Sequence, residues 1–256
     1  MKKFSLLAIA ACTSLFMSCS KTGPTGPAGA SGATGPAGPS LSGTLEGYVE
    51  LYDQYGVLIS PASSVSVTIP GRTGTDTSSA TGMFTINNMN TGTYEVDFAK
   101  AGYGNMKIVS LNFVGGGTQY IQNHVSMAQP PSFTLSNITL ASIGGQVTYS
   151  VNATSTDTKA RKVVLFLSNA AGVSSSPANY LGFITANVTA NSATAAGTIN
   201  AATLNGSGIV SGNTLYVAAY AICGNVNASV YADMATGKQI FNNISGTAVT
   251  STVTVP

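Results

Sequence analysis

The chain has 256 residues, of which 44% are hydrophobic and only 7% are charged, whereas charged residues make up about 25% of a typical globular protein. Ten Lys and Arg stand against eight Asp and Glu, and two of the lysines lie at the extreme N-terminus. So few charges, with no dense basic patch, argue against proton-transfer chemistry and against binding of a phosphate backbone. We therefore expect neither an enzyme nor a nucleic-acid-binding protein, and we expect no cofactor or metal.

The N-terminus is typical of a bacterial lipoprotein signal. Two lysines precede the apolar run Phe4 to Phe16, which is too short to span a bilayer as a helix. The text Leu15-Phe16-Met17-Ser18-Cys19 then resembles a lipobox, although Cys12 follows similar text and is an alternative acylation site. We expect a signal peptide over residues 1–18 and a lipid anchor at Cys19, which would hold the protein at the outer membrane or cell surface.

The third cysteine is predicted to be structural. With Cys12 removed and Cys19 acylated, only Cys223 would remain, so no intramolecular disulfide is expected. Cys223 ends the apolar stretch Leu215 to Ile222, which predicts a strand. A thiol in such surroundings is expected to be buried and unreactive.

Residues 19–43 are predicted to form a spacer. From Gly23 to Ser40 glycine occupies every third position through six triplets, and four of these have Pro in the second position. The pattern resembles a short bacterial collagen-like repeat. It permits a monomer on an extended polyproline II stalk about 55 Å long, or a triple helix that would make the protein a trimer. We favour the monomeric stalk.

Alternation with period two begins after Ser42 and predicts strands with one buried face. In the first strand Gly47, Val49 and Leu51 form the inner face. Turns at Gly82 and at Asn90-Thr91-Gly92 bound two further strands, which we expect in one half-buried sheet. The remaining predicted strands include Val65–Ile69, Val109–Phe113 and Thr118–Met127, with Gly115 to Gly117 as a hairpin turn. Residues 44–127 are therefore predicted to form an antiparallel β-sandwich.

The order of turn glycines and core residues in this region resembles the carboxypeptidase regulatory-like domain over about a third of the chain. The resemblance implies a transthyretin-like sandwich, grouped with carbohydrate-binding-like folds, and an accessory module without catalytic residues of its own. The positions that carry the resemblance are Gly47, Val49, Asp53, Gly56, Pro61, Val65, Val67, Gly82, Phe84, Ile86, Gly92, Tyr94, Gly102 and Tyr103.

Residues 128–256 are predicted to form a second sandwich. Gln129-Pro130-Pro131 interrupts the alternation as a linker would. Six further strands follow between Val147 and Val255. The text from Asn213 to Ala221 resembles the strand with alternating aromatics of fibronectin type III-like domains. The fold class is therefore all-β, with a transthyretin-like sandwich followed by an immunoglobulin-like or fibronectin III-like one.

The candidate ligand-binding residues are two tyrosines and two acids. Tyr48 and Tyr52 share the outer face of the first strand with two glutamates, and Glu95 and Asp97 share one face of a later strand. Aromatic platforms with polar neighbours are suited to glycans, whereas paired carboxylates could instead cleave glycosides. The single histidine, His124, is predicted to lie exposed on the strand Thr118–Met127, without a catalytic or metal-binding role.

These features predict a lipid-anchored, non-enzymatic protein of the cell envelope that displays binding or structural modules. The expected partners are the membrane, through the lipid anchor, and glycans or other envelope proteins. Carbohydrate binding is the alternative that names a ligand, and a surface hydrolase is a third possibility. No catalytic residue is assigned.

Overall fold

The computed structural model describes residues 40–154 and 158–256. The expected signal peptide, the Cys19 anchor and all but the end of the spacer lie outside these residues, and the first strand begins at Ser42, inside the expected spacer. Ser40–Pro256 form one compact unit. The predicted all-β fold class is confirmed, because the described residues form mostly antiparallel sheets with a single short helix. No helix among them is long and apolar enough to cross a membrane.

The first half of the unit contains nine strands, which are β1 (Ser42–Tyr52), β2 (Leu58–Ile59), β3 (Ser66–Thr68), β4 (Asp76–Thr77), β5 (Met83–Asn90), β6 (Gly92–Ala99), β7 (Met106–Phe113), β8 (Thr118–Tyr120) and β9 (Val125–Ala128). In one sheet β1 pairs with β2 and β5 along one edge and with β8 and β9 along the other. The second sheet has the order β4-β3-β6-β7. Side chains from both sheets meet in one core, whose largest buried members include Phe84, Phe98 and Phe113.

Several local predictions for this half are wrong. The strands on either side of Asn90-Thr91-Gly92, β5 and β6, belong to opposite sheets, so the turn crosses the sandwich. Gly115 to Gly117 likewise connect β7 to β8 in the other sheet and do not form a hairpin. Gly115 and Gly116 have φ values of +70° and +78°, a conformation that glycine adopts without strain.

The predicted strand Thr118–Met127 is two strands, β8 and β9, with residues 121–124 between them. Both pair with β1 in parallel, β8 opposite Thr44 to Glu46 and β9 opposite Val49 to Tyr52. Period-two alternation reports a buried face but not the direction of the neighbouring strand. His124 therefore lies in the break between the strands and not on a strand as predicted.

A β-bulge in β7 changes which side chains reach the core. Tyr94 pairs with Leu111, whereas Val96 pairs with Ile108, so β7 carries one extra residue at this point. Ser110 in the bulge has a φ of +59°. The inner face therefore continues from Leu111 to Ile108 and not to Val109 as predicted, because a bulge shifts the alternation by one position.

The second half contains β10 (Thr134–Ile143), β11 (Gln146–Thr154), β12 (Arg161–Ser168), β13 (Gly182–Val188), β14 (Thr194–Ile199), the helix α1 (Ala201–Gly206), β15 (Thr214–Ile222), β16 (Val230–Ala232), β17 (Gln239–Phe241) and β18 (Val249–Thr254). A sheet β10-β11-β14 packs on a sheet β13-β12-β15-β18, and β16 and β17 form a separate ribbon. The central strands β12 and β15 are buried on both faces. Their inner residues join the core between the sheets, and their outer residues join an aromatic cluster around Phe166.

A seam of hydrogen bonds joins the two halves. The fully buried Ser229 donates from Oγ to the carbonyl oxygen of Gly104 at 2.7 Å and accepts from the backbone N–H of Ala128 at 2.9 Å. At its other end, Gly224 N–H donates to the carbonyl oxygen of Gln54 at 3.0 Å. Cys223 is also buried there, as expected. The two largest hydrophobic clusters each lie within one half, whereas a small cluster of Ala128, Cys223 and Ala228, with Tyr52 packed against it, spans the seam. The domain boundary at 127/128 stays a prediction.

Candidate ligand-binding site

Strand β1 separates a core face from a polar outer face along its whole length. Leu45, Val49 and Leu51 are buried, whereas Glu46, Tyr48, Glu50 and Tyr52 are half-buried or exposed. Gly47 lies on the inner face, and only glycine fits there, because a Cβ would stand 2.7 Å from the Phe84 ring. The glycine thus lets β1 lie against the core, while alternation turns two tyrosines and two glutamates outward.

Glu50 is the centre of the hydrogen bonds on this face. Its Oε1 lies 2.6 Å from Nδ1 of His124, and its Oε2 accepts from the Tyr52 hydroxyl at 2.8 Å. These hydrogen bonds, led by the one with His124, hold the pKa of Glu50 below its usual value. The same contact with Glu50 raises the pKa of Tyr52, because the neighbouring negative charge disfavours a phenolate. Glu50 is therefore ionised and fixed in position at neutral pH.

Two aromatic rings on this face are open to solvent. Tyr48 is 38% exposed and its ring centroid lies 5.5 Å from that of His124. Tyr120 is 60% exposed and stands opposite Glu46 in the parallel pairing of β8 with β1. The Glu46 carboxylate raises the pKa of the Tyr120 hydroxyl. Tyr120 thus has the Glu46 carboxylate beside it, and Tyr48 lies between Glu46 and Glu50 along β1.

A groove with a volume of 760 Å³ adjoins these rings, between the edge strand β7 and the chain from β8 to β9. Its floor is apolar and includes Met106, Ile108 and Ile121, which also pack against the core. Its rim is polar and consists of Asn112, Thr118, Gln119, Tyr120, Gln122, Asn123 and His124. An apolar cleft with a few convergent polar groups is the usual form of a small-ligand site.

His124 belongs both to this groove and to a smaller depression of 190 Å³ beside Tyr48 and Glu50. The smaller depression is also lined by Leu58, which is 57% exposed. The two hollows and the exposed rings therefore form one continuous candidate site. We call the outer face of β1 with Tyr120, His124 and the groove the β1 site.

Glu95 and Asp97 are not part of this site. They lie on the outer face of β6, in the sheet opposite β1, since Val96 and Phe98 between and beside them point into the core. Lys107 Nζ on β7 lies 2.7 Å from Glu95 Oε1 and 3.1 Å from Asp97 Oδ1. Glu95 first and then Asp97 raise the pKa of Lys107. Of the four predicted residues, only Tyr48 and Tyr52 therefore lie in the β1 site.

Sequence reasoning identified the face of β1 but missed the two features that complete the site. The first is the contact of His124 with Glu50, which joins residues 74 positions apart. The second is the groove, which exists because β7 and β8 are edges of different sheets. Among the described residues no group of three or more His, Cys, Asp or Glu side chains is placed to hold a metal ion.

A scan against protein-family models and a search of curated proteins each found no match to the sequence. The resemblance to the carboxypeptidase regulatory-like domain, and that of the second half to immunoglobulin-like or fibronectin III-like domains, therefore stay predictions. The search of solved structures did return matches.

Three of these matches illustrate the distance. A Bacteroides uniformis protein, provisionally named as carbohydrate binding, is 13% identical with a TM-score of 0.28, over 84% of this chain and 99% of that one. A DUF3823 family protein from Parabacteroides merdae is 15% identical with a TM-score of 0.27, over 82% and 100%. A type II cohesin–X–dockerin complex from Acetivibrio cellulolyticus is 23% identical with a TM-score of 0.27, over 30% of this chain and 50% of that one. TM-scores this low carry no argument about fold or function.

Proposed function

We propose that this chain is a non-enzymatic binding module of the bacterial cell envelope and that its ligand is a glycan. The observation that carries the proposal is the pair of exposed tyrosines, Tyr48 and Tyr120, on one face beside the 760 Å³ groove. Sugar rings pack on aromatic faces, and the surrounding carboxylate, amide and imidazole groups can bond to sugar hydroxyls. The apolar floor and polar rim of the groove extend this surface beyond a single sugar.

The state of the carboxylates supports the non-enzymatic part of the proposal. A glycosidase needs one carboxylic acid with a raised pKa to protonate the leaving group. The pKa of Glu50 is instead lowered by His124 and Tyr52, and Glu95 and Asp97 are both engaged by Lys107. An ionised Glu50 carboxylate, held by His124 and Tyr52, suits hydrogen bonding to a ligand better than proton transfer.

The envelope location rests on the N-terminal sequence, in which Cys19 follows lipobox-like text. Palmitate labelling of cells that express the full chain tests this. We expect Cys19→Ala to abolish the label and Cys12→Ala to leave it. Loss of the label in Cys12→Ala alone would move the anchor to Cys12, and absence of the label in the wild type would remove the lipoprotein assignment.

Glycan binding is tested on an array of bacterial and plant glycans, followed by calorimetric titration of the best hit. We expect Tyr48→Ala and Tyr120→Ala each to weaken binding at least about tenfold, because burial of one aromatic ring contributes about 1.5–3 kcal/mol. The matched control is Tyr231→Ala on β16, a half-buried tyrosine outside the β1 site, which should bind like the wild type. No binding on the array, or equal loss in all three variants, would contradict the proposal.

A further inference from the structure

The charges around Tyr48 and Tyr120 indicate which class of glycan the β1 site prefers. Building on the proposed function, we propose that the β1 site binds an amino sugar through its free ammonium group. The ammonium would lie against the ring faces of Tyr48 and Tyr120, between the carboxylates of Glu46 and Glu50.

The charged side chains that β1 places on this face are both acidic. Glu46 and Glu50 are its charged side chains on β1, and their cross-strand neighbours on β5, β8 and β9 are uncharged. In the register of the sheet, Glu46 stands between Thr85 and Tyr120, and Glu50 stands beside Ser126. Glu46 and Glu50 therefore place two carboxylates on the β1 face, and His124 contacts one of them, Glu50, at 2.6 Å.

Neither carboxylate is neutralised by Lys or Arg among the described residues, which distinguishes the β1 site from the acids on β6. Glu95 and Asp97 share Lys107, whereas Glu50 bonds to His124 and Tyr52 and Glu46 lies beside Tyr120. A carboxylate has about four lone-pair positions, so Glu50 can accept from a further cationic donor. In the part of the chain that the structure describes, the carboxylates of the β1 site, unlike those on β6, are thus free of Lys and Arg partners and can bind a cationic ligand.

The rings add a second attraction for a cation. An ammonium within about 6 Å of a tyrosine ring centroid is attracted by the negative face of the ring, by about 0.5–1 kcal/mol at exposed sites. Tyr48 and Tyr120 are both exposed, and along β1 Tyr48 lies two residues from Glu46, on the same face. A positive group that reaches one ring is therefore also within reach of a carboxylate. Uronic acids, which carry a carboxylate, would be repelled here.

The test compares oligosaccharides that differ only at nitrogen. The tetrasaccharide of glucosamine and that of N-acetylglucosamine are titrated into the full chain by calorimetry at about pH 6, about two units below the pKa of an ordinary α-amino group, where most of the sugar amines are protonated. We expect the free amine to bind about tenfold more tightly, with the preference shrinking as salt is raised. A tetrasaccharide of a hexuronic acid should show no binding.

Variants of the acids identify the groups responsible. Glu46→Gln and Glu50→Gln should each reduce the preference for the free amine about threefold or more while the acetylated sugar still binds. The matched control is Glu95→Gln, which removes an acid on the opposite sheet and should leave the preference unchanged. Equal binding of the amine and the acetylated sugar would overturn the ammonium assignment while leaving glycan binding in place. Binding of neither sugar, together with a blank array, would overturn glycan binding itself.

Discussion

Gly224 offers the sharpest test of the seam between the two halves. A Cβ at Gly224 would stand 2.9 Å from the backbone nitrogen of Gly56 and still closer to the Tyr55 carbonyl carbon and oxygen. These are backbone atoms of the turn after β1, so no side-chain rotation can relieve the overlap. We therefore expect Gly224→Ala to push the turn away from residue 224.

The magnitude follows from what that movement breaks. The hydrogen bond from Gly224 N–H to Gln54 O, 3.0 Å long, contributes about 0.5–1.5 kcal/mol net. Overpacking of a close-packed contact adds about 1–3 kcal/mol. Movement of the turn would also lengthen the contact from Cys223 Sγ to the Asp53 carbonyl oxygen, now 3.1 Å. We expect the free energy of unfolding to fall by about 2–4 kcal/mol in total.

Urea unfolding, followed by circular dichroism and linear extrapolation, measures this loss. Gly246→Ala is the control, because its Cβ would meet no atom within 4 Å and the change should stay within about 0.5 kcal/mol. If the wild type unfolds in one transition and Gly224→Ala unfolds in two, the seam couples the unfolding of the two halves. Unfolding free energies of Gly224→Ala and wild type within about 0.5 kcal/mol of each other would refute the reasoning.

Two further predictions concern titratable groups. Burial raises the pKa of the Cys223 thiol. A chain carrying Cys12→Ser and Cys19→Ser should therefore react with iodoacetamide only after unfolding in urea. Rapid labelling of the native protein would contradict the burial of Cys223. Because the folded pKa of Glu50 lies below 4.5, its contribution to stability should be complete above about pH 4.5 and be lost as the pH falls through the folded value. The free energies of unfolding at about pH 3 and about pH 6 should then differ less in Glu50→Gln than in the wild type. An identical pH dependence in the two proteins would show that Glu50 does not cause the loss of stability at low pH.

The strands whose side chains alternate could be predicted from the sequence, and those held by distant partners could not. In β1 the inner face of Val49 and Leu51 and the outer face of Tyr48 and Tyr52 were both predicted. The six predicted strands of the second half correspond to β11 to β15 and β18, whereas β10, the ribbon β16–β17 and α1 were not predicted. Helix α1 is only six residues long and starts at the cap Asn200, so it leaves little periodic signal.

The candidate site shows the same division. The outer face of β1 is a local pattern, and the sequence contains it. The proximity of His124 to Glu50 depends on parallel pairing of β9 with β1, which no local pattern encodes. Glu95 and Asp97 were predicted as ligand-binding residues because they share a face. Their neutralisation by Lys107 depends on which strand lies next to β6, and the sequence alone does not give that neighbour.

The seam also constrains the order in which the chain can fold. Its hydrogen bonds join Ala128 to Ser229 and Asp53 to Cys223, which are 101 and 170 residues apart. Contacts so distant in sequence form slowly, because the entropy of closing a long loop is lost before they are gained. In a chain synthesised from its N-terminus, the surface around Ala128 and the turn after β1 stays uncovered until residue 229 has emerged. The last quarter of the chain is therefore needed to complete the surroundings of the first strand.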